Sequence, residues 1–380
     1  MDFKKLKEEI IQYSRRIGID KIGFTTASTF DEMKNRLVRQ ESLGYQSGFE
    51  EKDIEKRVDP SLIFDEPRSI ISIALAYPSK MKDAPQSKKG ERRGIFCRAS
   101  WGTDYHDLLK EKLSLLEDYI KEKVPEAMFK SMVDTGELVD RAVAERAGIG
   151  WSGKNCAIIT PEFGSYVYLG EMITNLPFEP DKPMEDQCGT CNKCVDVCPT
   201  GALVEGGQLD AQRCIAFLTQ TKGFLPDQFR TKIGNRLYGC DTCQTVCPEN
   251  KGKDFHLHER MEPDPEIAKP LLKPLLSISN KEFKQNYGHV SGSWRGKKPI
   301  QRNALLALAH FKDETAIPDI ISVMERDVRP VIRGTAAWAL GRIGGEDAIE
   351  ALKKARNKEE DQEVIEEIEK GLSFFTEGRS

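Results

Sequence analysis

Two related cysteine runs carry the most specific chemistry in the chain. The first is Cys188-x2-Cys191-x2-Cys194-x3-Cys198-Pro199, and the second is Cys240-x2-Cys243-x3-Cys247-Pro248. Three cysteines at the first spacing wrap one face of an iron–sulfur cube, while the cysteine before the proline ligates a second cube. The second run repeats the spacing from Cys191 to Pro199. Two cubes then need two further ligands, and Cys188 and Cys214 supply them. The pseudo-symmetry pairs Cys188, Cys191, Cys194 and Cys247 on one [4Fe–4S] cluster. It pairs Cys198, Cys214, Cys240 and Cys243 on the other.

Zinc is the competing reading, because Cys-x2-Cys pairs also build tetrahedral zinc sites. The full run is the cluster signature and not a zinc one. A disulfide framework suits neither a chain of 380 residues nor its charged first segment. Cys97 and Cys156 lie outside the pattern, and a lone cysteine reads first as a small buried hydrophobe.

Upstream, Phe129–Asp134 reads as a strand ending on an acid. Desolvation beside a pocket would raise the Asp134 pKa and let it deliver a proton near neutrality. The plainer reading is a helix N-cap for the segment Leu138–Ala147. Arg57, in Lys56-Arg57-Val58-Asp59-Pro60, reads on composition as a surface loop arginine. Gly148-Ile149-Gly150-Trp151-Ser152-Gly153-Lys154-Asn155 matches Gly-x-Gly-x-x-Gly and nearly matches a P-loop. Both readings require a strand before the loop and a helix after it. Here the order is reversed, so Rossmann and NTPase assignments are rejected. The glycines would still let backbone amides approach a large polar ligand.

The elements that must position these residues follow from periodicity. Residues 2–18, 29–43, 107–123 and 138–147 predict helices, and 21–26, 69–77, 129–134, 157–160 and 166–173 predict strands. The polar segment 84–93 predicts a mobile loop. Asp210–Thr221 predicts a helix carrying Cys214 inward. From residue 300 the chain repeats with an offset of 32: Ala304, Ala307, Leu308, Ala316 and Ile317 recur as Ala336, Ala339, Leu340, Ala348 and Ile349. Each unit reads as two short helices of HEAT type. The fold class is therefore α+β: an α/β domain over 1–177, a two-cluster ferredoxin-like module over 178–250, a linker and docking segment over 251–299, and helical repeats over 300–380.

Charge is mild overall at −4, but unevenly placed. Arg295, Lys297, Lys298 and Arg302 fall in a stretch without acids, while 346–370 holds ten acids against five Lys or Arg. A local basic patch for a macromolecular partner is thus compatible with the total. No apolar run reaches the ~18 residues that span a bilayer. The charged N-terminus predicts no signal peptide, and a reducing cytoplasm is expected. The residues alone lead to an iron–sulfur reductase with a docking domain.

With Lys56-Arg57-x-Asp59-Pro60, Trp101-Gly102-x-Asp104-Tyr105-His106, Val133-Asp134, Ala147 to Lys154, the eight cysteines and Tyr238-Gly239-Cys240-Asp241-x-Cys243-Gln244, the chain resembles the epoxyqueuosine reductases over nearly its whole length. The core of that family is similar to reductive dehalogenases. The resemblance implies base-off cobalamin in the N-terminal domain beside the clusters, and reduction of a tRNA wobble epoxide to the alkene in tRNAs for Tyr, His, Asp and Asn. It implies Asp134 as proton donor, with Tyr105 and His106 shaping the pocket or relaying protons. Arg57, Cys97, Asp134, Gly153, Lys154 and Asn155 become the cofactor contacts. Asn280, Lys281, Arg295, Lys297 and Lys298 become the tRNA contacts. An unidentified low-potential electron donor and a monomer are expected. Two departures stand out: relatives often have Ala or Ser at Cys97, and Ser-Ala-Pro at Thr135-Gly136-Glu137. The competing functions are a small-molecule reductase, such as one acting on organohalides, and a non-catalytic electron carrier.

Overall fold

The computed structural model describes residues 2–377; position 1 and positions 378–380 of the expected repeat domain lie outside the described residues. The chain divides into two compact units, each assembled from three stretches. The first contains 1–80, 103–214 and 241–262, and the second contains 81–102, 215–240 and 263–380. This division interleaves the units along the chain, whereas the sequence reading expected four consecutive blocks.

The first unit is built on a four-stranded sheet. Its strands are β1 (Lys21–Thr26), β2 (Ser69–Ala76), β3 (Phe129–Met132) and β4 (Val167–Thr174). Their order is β1-β2-β4-β3, and every pairing is antiparallel. β2 is buried at all its positions, as its unbroken SIISIALA run requires for a strand covered on both faces. The covers are α4 (Tyr105–Lys123) and α5 (Asp140–Arg146). α4 buries Leu108, Leu109, Leu113, Leu116 and Ile120. At about 2 kcal/mol per fully buried Leu or Ile, that stripe alone fixes the helix. A Cβ on Gly170 would touch Leu109 and Leu113 at 3.5 and 3.4 Å, so α4 lies over β4 there. On the α5 side Gly23 is indispensable, because a Cβ would fall 2.1 Å from the Ala147 carbonyl oxygen.

Three further helices complete the frame: α1 (Phe3–Arg16), α2 (Asp31–Ser42) and α3 (Ile54–Val58). Asp2 caps α1 by accepting the N–H groups of Lys4 and Lys5. The glycine-rich stretch makes a small hairpin in which Trp151 pairs Ile159 and Ser152 pairs Ile158. A Cβ on Gly150 would meet the Ile159 carbonyl at 2.2 Å. The Gly153 N–H donates to Ala157 O at 2.8 Å. These glycines therefore serve chain-to-chain packing, and the rejection of a nucleotide loop agrees with the observed order of helix, then hairpin.

The second unit has one continuous core, from Phe96 through Ile215 and Leu237 to Ile368. Its repeat helices are α6 (Lys297–Phe311), α7 (Ile317–Arg326), α8 (Pro330–Ile343), α9 (Glu346–Arg356) and α10 (Gln362–Glu377). The 32-residue offset maps α6–α7 onto α8–α9. The sequence reading did not foresee α10 as a further helix. It crosses α8 closely, since a Cβ on Gly341 would lie 2.3 Å from Gly371 O. Arg230 and Glu367 form a buried ion pair in this core, with side chains 3% and 4% exposed. The segment 84–93 is tied down within the unit: Gly90 N–H donates to Asp313, and Arg93 donates to Glu266 and Lys269 O. The expected mobile loop is therefore corrected. The expected helix 210–221 is likewise broken into the turns Ala211–Arg213 and Ile215–Leu218, with Cys214 between them.

Candidate active site

The acid at the end of β3 is not a helix cap. Val139 occupies the N-cap of α5, and Asp134 instead sits in a left-handed conformation at φ 55°. That conformation is uncommon for a residue other than glycine, although Asp tolerates it better than most. The Asp134 N–H donates to Asp140 Oδ2 at 3.0 Å. Its side chain is 62% exposed, so it faces outward from the sheet end.

The start of α4 brings two aromatic groups to this acid. Asp104 caps the helix by accepting the His106 N–H at 3.1 Å, and its carboxylate also meets His106 Nδ1 at 2.7 Å. The other ring nitrogen, Nε2, stands 3.5 Å from Asp134 Oδ2. Tyr105 stacks between His106 and Tyr168, with centroid distances of 4.2 and 4.5 Å. It also hydrogen-bonds the Asp134 carboxylate. Asp104, His106, Tyr105 and Asp134 thus form one polar cluster at the sheet edge, in which His106 is hydrogen-bonded to Asp104 and stands at ion-pair distance from Asp134.

Its electrostatics differ from the expectation. Hydrogen bonding to Asp104 and then to Asp134 pushes the His106 imidazolium up to about 9, against the opposing effect of burial. The charged His106 beside it holds the Asp134 carboxyl below its ordinary range. Desolvation does not win at Asp134. At neutral pH the proton of the pair rides on His106, and Asp134 is its ionised partner.

Further along the same unit, Arg57 is half-buried, with the carboxylates of Glu50, Asp140 and Glu51 in its electrostatic surroundings. Burial draws its guanidinium below its usual value. Asn155 is buried at 8% exposure; its Oδ1 accepts the Ala157 N–H, but its Nδ2 has no partner. A cationic fork and an orphaned amide donor fit a large ligand carrying amides and phosphate. Gly153 holds its place because a Cβ would meet Ile159 Cδ1 at 2.5 Å. Lys154 is already engaged: its ammonium donates to Gly189 O at 2.7 Å and to Asn192 Oδ1 at 3.1 Å, bracing the first cysteine loop.

The cysteines are all unbonded to one another as disulfides. Cys188, Cys194 and Cys247 lie within electrostatic reach of each other. The turns Lys193–Asp196 and Thr242–Thr245, one from each motif, pack together. Ala202 N–H donates to Cys198 Sγ at 3.2 Å, the kind of contact that orients a ligating sulfur. The donor set, soft thiolates at both spacings, fits two cubes.

In the second unit, Cys97 N–H donates to Tyr238 O at 2.9 Å, beside Gly239. Of the basic stretch, Arg302 is buried and donates to the carbonyls of Leu218, Thr221 and Gly223. Lys297 donates to Ile278 O. Lys298, Lys281 and Asn280 are exposed, and Arg295 lies over the exposed Trp294 ring at 4.4 Å. Sequence reasoning missed Asp104, Asp140 and Glu171. Asp104 was signalled by its position two residues before a histidine at a helix start; the other two carried no signal.

Known proteins now bear on this arrangement. Residues 57–135 match the family described as epoxyqueuosine reductase QueG, DUF1730; 187–250 match a 4Fe-4S double cluster binding domain; and 296–373 match HEAT repeats. The chain is 72% identical over 375 residues to the epoxyqueuosine reductase of Bacillus subtilis (strain 168), covering 99% of this chain and 97% of that one. A solved epoxyqueuosine reductase with a tRNA-Tyr epoxyqueuosine-modified stem loop superposes at a TM-score of 0.97, with 71% identity and coverage of 99% and 100%. A further Bacillus subtilis structure, with its Asp134 catalytic loop swung out of the active site, gives 0.96 at 71% identity, covering 98% and 100%.

Proposed function

The chain belongs to the epoxyqueuosine reductase family, and on that premise we propose that it reduces epoxyqueuosine to queuosine at the wobble position of tRNAs for Tyr, His, Asp and Asn, using base-off cobalamin fed by two [4Fe–4S] clusters. The observation that carries the proton chemistry is the Asp104–His106–Asp134 cluster. Removal of the epoxide oxygen takes two electrons and two protons, forms the alkene and releases water. Bound cobalamin and clusters supply the electrons. The chain's residues hold the cofactor and manage the protons.

Arg57 and Asn155 offer the cofactor a cationic fork and a free amide donor. Asp134, exposed at the sheet end, faces the substrate oxygen. His106 stores the proton 3.5 Å behind it and hands it on through the ionised Asp134 carboxylate to the substrate oxygen. Asp104 fixes the ring and favours its charged form. Tyr105 completes the pocket wall. Exposed Lys281, Lys298 and Asn280, with Arg295, suit phosphate contacts. A wobble base is unstacked more readily from a loop than from a duplex. In a Bacillus subtilis relative the Asp134 catalytic loop is swung out of the active site, and a second, outward position of this loop is part of the reading for this chain.

The test is nucleoside mass analysis. The protein is reconstituted without oxygen, loaded with clusters and cobalamin, reduced, and given tRNA carrying epoxyqueuosine. Cobalamin-dependent loss of one oxygen from the nucleoside is expected. An unchanged nucleoside from fully loaded, reducible protein would reject the reading in favour of a small-molecule substrate.

A further inference from the structure

The face of the sheet under α5 is largely apolar. Ile70, Ala74, Met132, Leu169 and Ile173 line it, and Val143 and Ala144 close it from above. In the middle stands Glu171, fully buried at 0% exposure. Its strand neighbours are Ser72 on β2 and Met132 on β3. Neither carboxyl oxygen of Glu171 receives a hydrogen bond from any donor in its surroundings, and Ser72 Oγ has no partner. Of the charged groups around it, the carboxyl of Asp140, the first residue of α5, acts on Glu171 most strongly. Asp140 in turn accepts the backbone N–H of Asp134.

Two carboxylates cannot share a dry pocket as two anions. One must carry a proton, and a hydrogen bond between them needs that proton. The residue with no donor near it is Glu171. The residue that accepts an N–H, and so gains from being ionised, is Asp140.

We propose that Asp140 is a positioning residue for the reaction, and that Glu171, as a buried neutral acid donating to Asp140, holds it in place so that Asp134 stays in its left-handed, outward-facing conformation. This rests on the reading of Asp134 as the group that faces the substrate. The left-handed backbone at Asp134 is disfavoured for a residue with a Cβ, so it needs an external constraint. The bond from its N–H to a charged acceptor is the constraint the structure supplies. The titration directions agree. Burial, followed by Asp134, pushes Asp140 up to about 6, which leaves it mostly ionised at neutral pH. Burial, followed by Asp140, pushes Glu171 well above its usual range. The charged groups facing the pair are Asp134 from the loop and Arg57 from α3.

The sign follows. Raising the pH removes the Glu171 proton, sets two anions together and weakens the hold on the loop. Amide hydrogen exchange of residues 133–139, corrected for the intrinsic pH dependence, reads this in the full-length protein without substrate or cofactor. Wild type is expected to lose protection in alkali. Glu171→Gln keeps a neutral N–H donor to Asp140 and is expected to retain protection there. Asp140→Ala is expected to exchange about ten-fold faster at neutral pH, the scale of one lost charge-assisted bond. In the loaded enzyme its kcat should fall about ten-fold with KM for tRNA little changed, and Asp140→Asn, whose amide oxygen still accepts, should recover most of it. Unchanged exchange in Asp140→Ala would overturn the proposal. So would parallel alkaline loss in wild type and Glu171→Gln, a comparison that stands even if the alanine variant does not fold. Failure of tRNA reduction by loaded wild type would strike the proposed function and leave the exchange result untouched.

Discussion

His106 Nε2 stands 3.5 Å from Asp134 Oδ2, while its Nδ1 is held 2.7 Å from Asp104. The imidazolium is thereby clamped between two carboxylates and kept charged up to about 9. A folded-state value raised above the ordinary 6.5 means that the stabilisation from this clamp is complete below 6.5 and is lost as the pH rises through 9. The kcat/KM of the loaded enzyme is expected to fall on the alkaline side with a midpoint near that value. His106→Gln should remove this limb and lower kcat about 10²-fold, the usual worth of a positioned acid. A flat profile from pH 7 to beyond 9 would count against the proton store.

Gly239 has φ 71°, and a Cβ there would sit 2.2 Å from Cys97 Sγ. The next residue is Cys240, a ligand of the second cluster by the spacing argument. Gly239→Ala must therefore displace either Cys97 or the backbone that delivers Cys240. Iron content and cluster absorbance of the reconstituted variant are expected to drop toward half. Pairing it with Cys97→Ala removes the clashing sulfur but not the backbone strain, so only partial recovery is expected. Full loading of Gly239→Ala alone would show that the loop yields.

Arg302 spans the carbonyls of Leu218, Thr221 and Gly223, and neighbouring Asn303 donates to Thr219 O and Leu237 O. Burial pushes the guanidinium down to about 10 without discharging it at neutral pH. Arg302→Met leaves several buried acceptors unpaired. A loss on the order of 3 kcal/mol is expected, read from denaturant unfolding. Arg302→Lys should recover little of it, since one ammonium cannot reproduce the planar fork.

The buried pair Arg230–Glu367 gives a complementary test. Glu367→Leu alone takes from the buried Arg230 its buried carboxylate, leaving the exposed Asp227 as its anion, and is expected to cost about 3 kcal/mol. Adding Arg230→Met should restore most of the stability, because the pair's own net contribution is small. Thermal unfolding of the three variants decides this. A double variant as unstable as the single one would mean that the pair contributes far more than its desolvation removes.

Lys281 and Lys298 are exposed, whereas Lys297 and Arg302 are spoken for by backbone carbonyls. Lys281→Ala and Lys298→Ala are each expected to weaken tRNA binding across all substrates and to reduce the salt slope by about 0.7 per lost single-strand phosphate contact. Arg302→Met, compared at a temperature where it remains folded, should leave that slope unchanged.

The sequence by itself determined the chemistry that depends on short-range spacing. Ligand cysteines must be separated by fixed numbers of residues to wrap a cube, so the cluster motifs were legible without a fold. The apolar run of β2, the stripe of α4 and the 32-residue repeat were legible for the same reason: periodicity is local. The tertiary structure decided everything that depends on residues distant in the chain. Asp134 looked like an acid whose pKa burial would raise. Only folding brought His106 against it, from 28 positions upstream, and reversed the shift. Asp140 and Glu171 had no pattern at all, because a buried carboxyl pair is made by a helix start meeting a strand middle. Arg302 looked like part of a basic surface, yet the repeat helix α6 turns it inward toward carbonyls some eighty residues earlier. Charge and spacing are written along the chain, but which charges face each other, and with what solvent between them, is settled only when the sheet and the helices close.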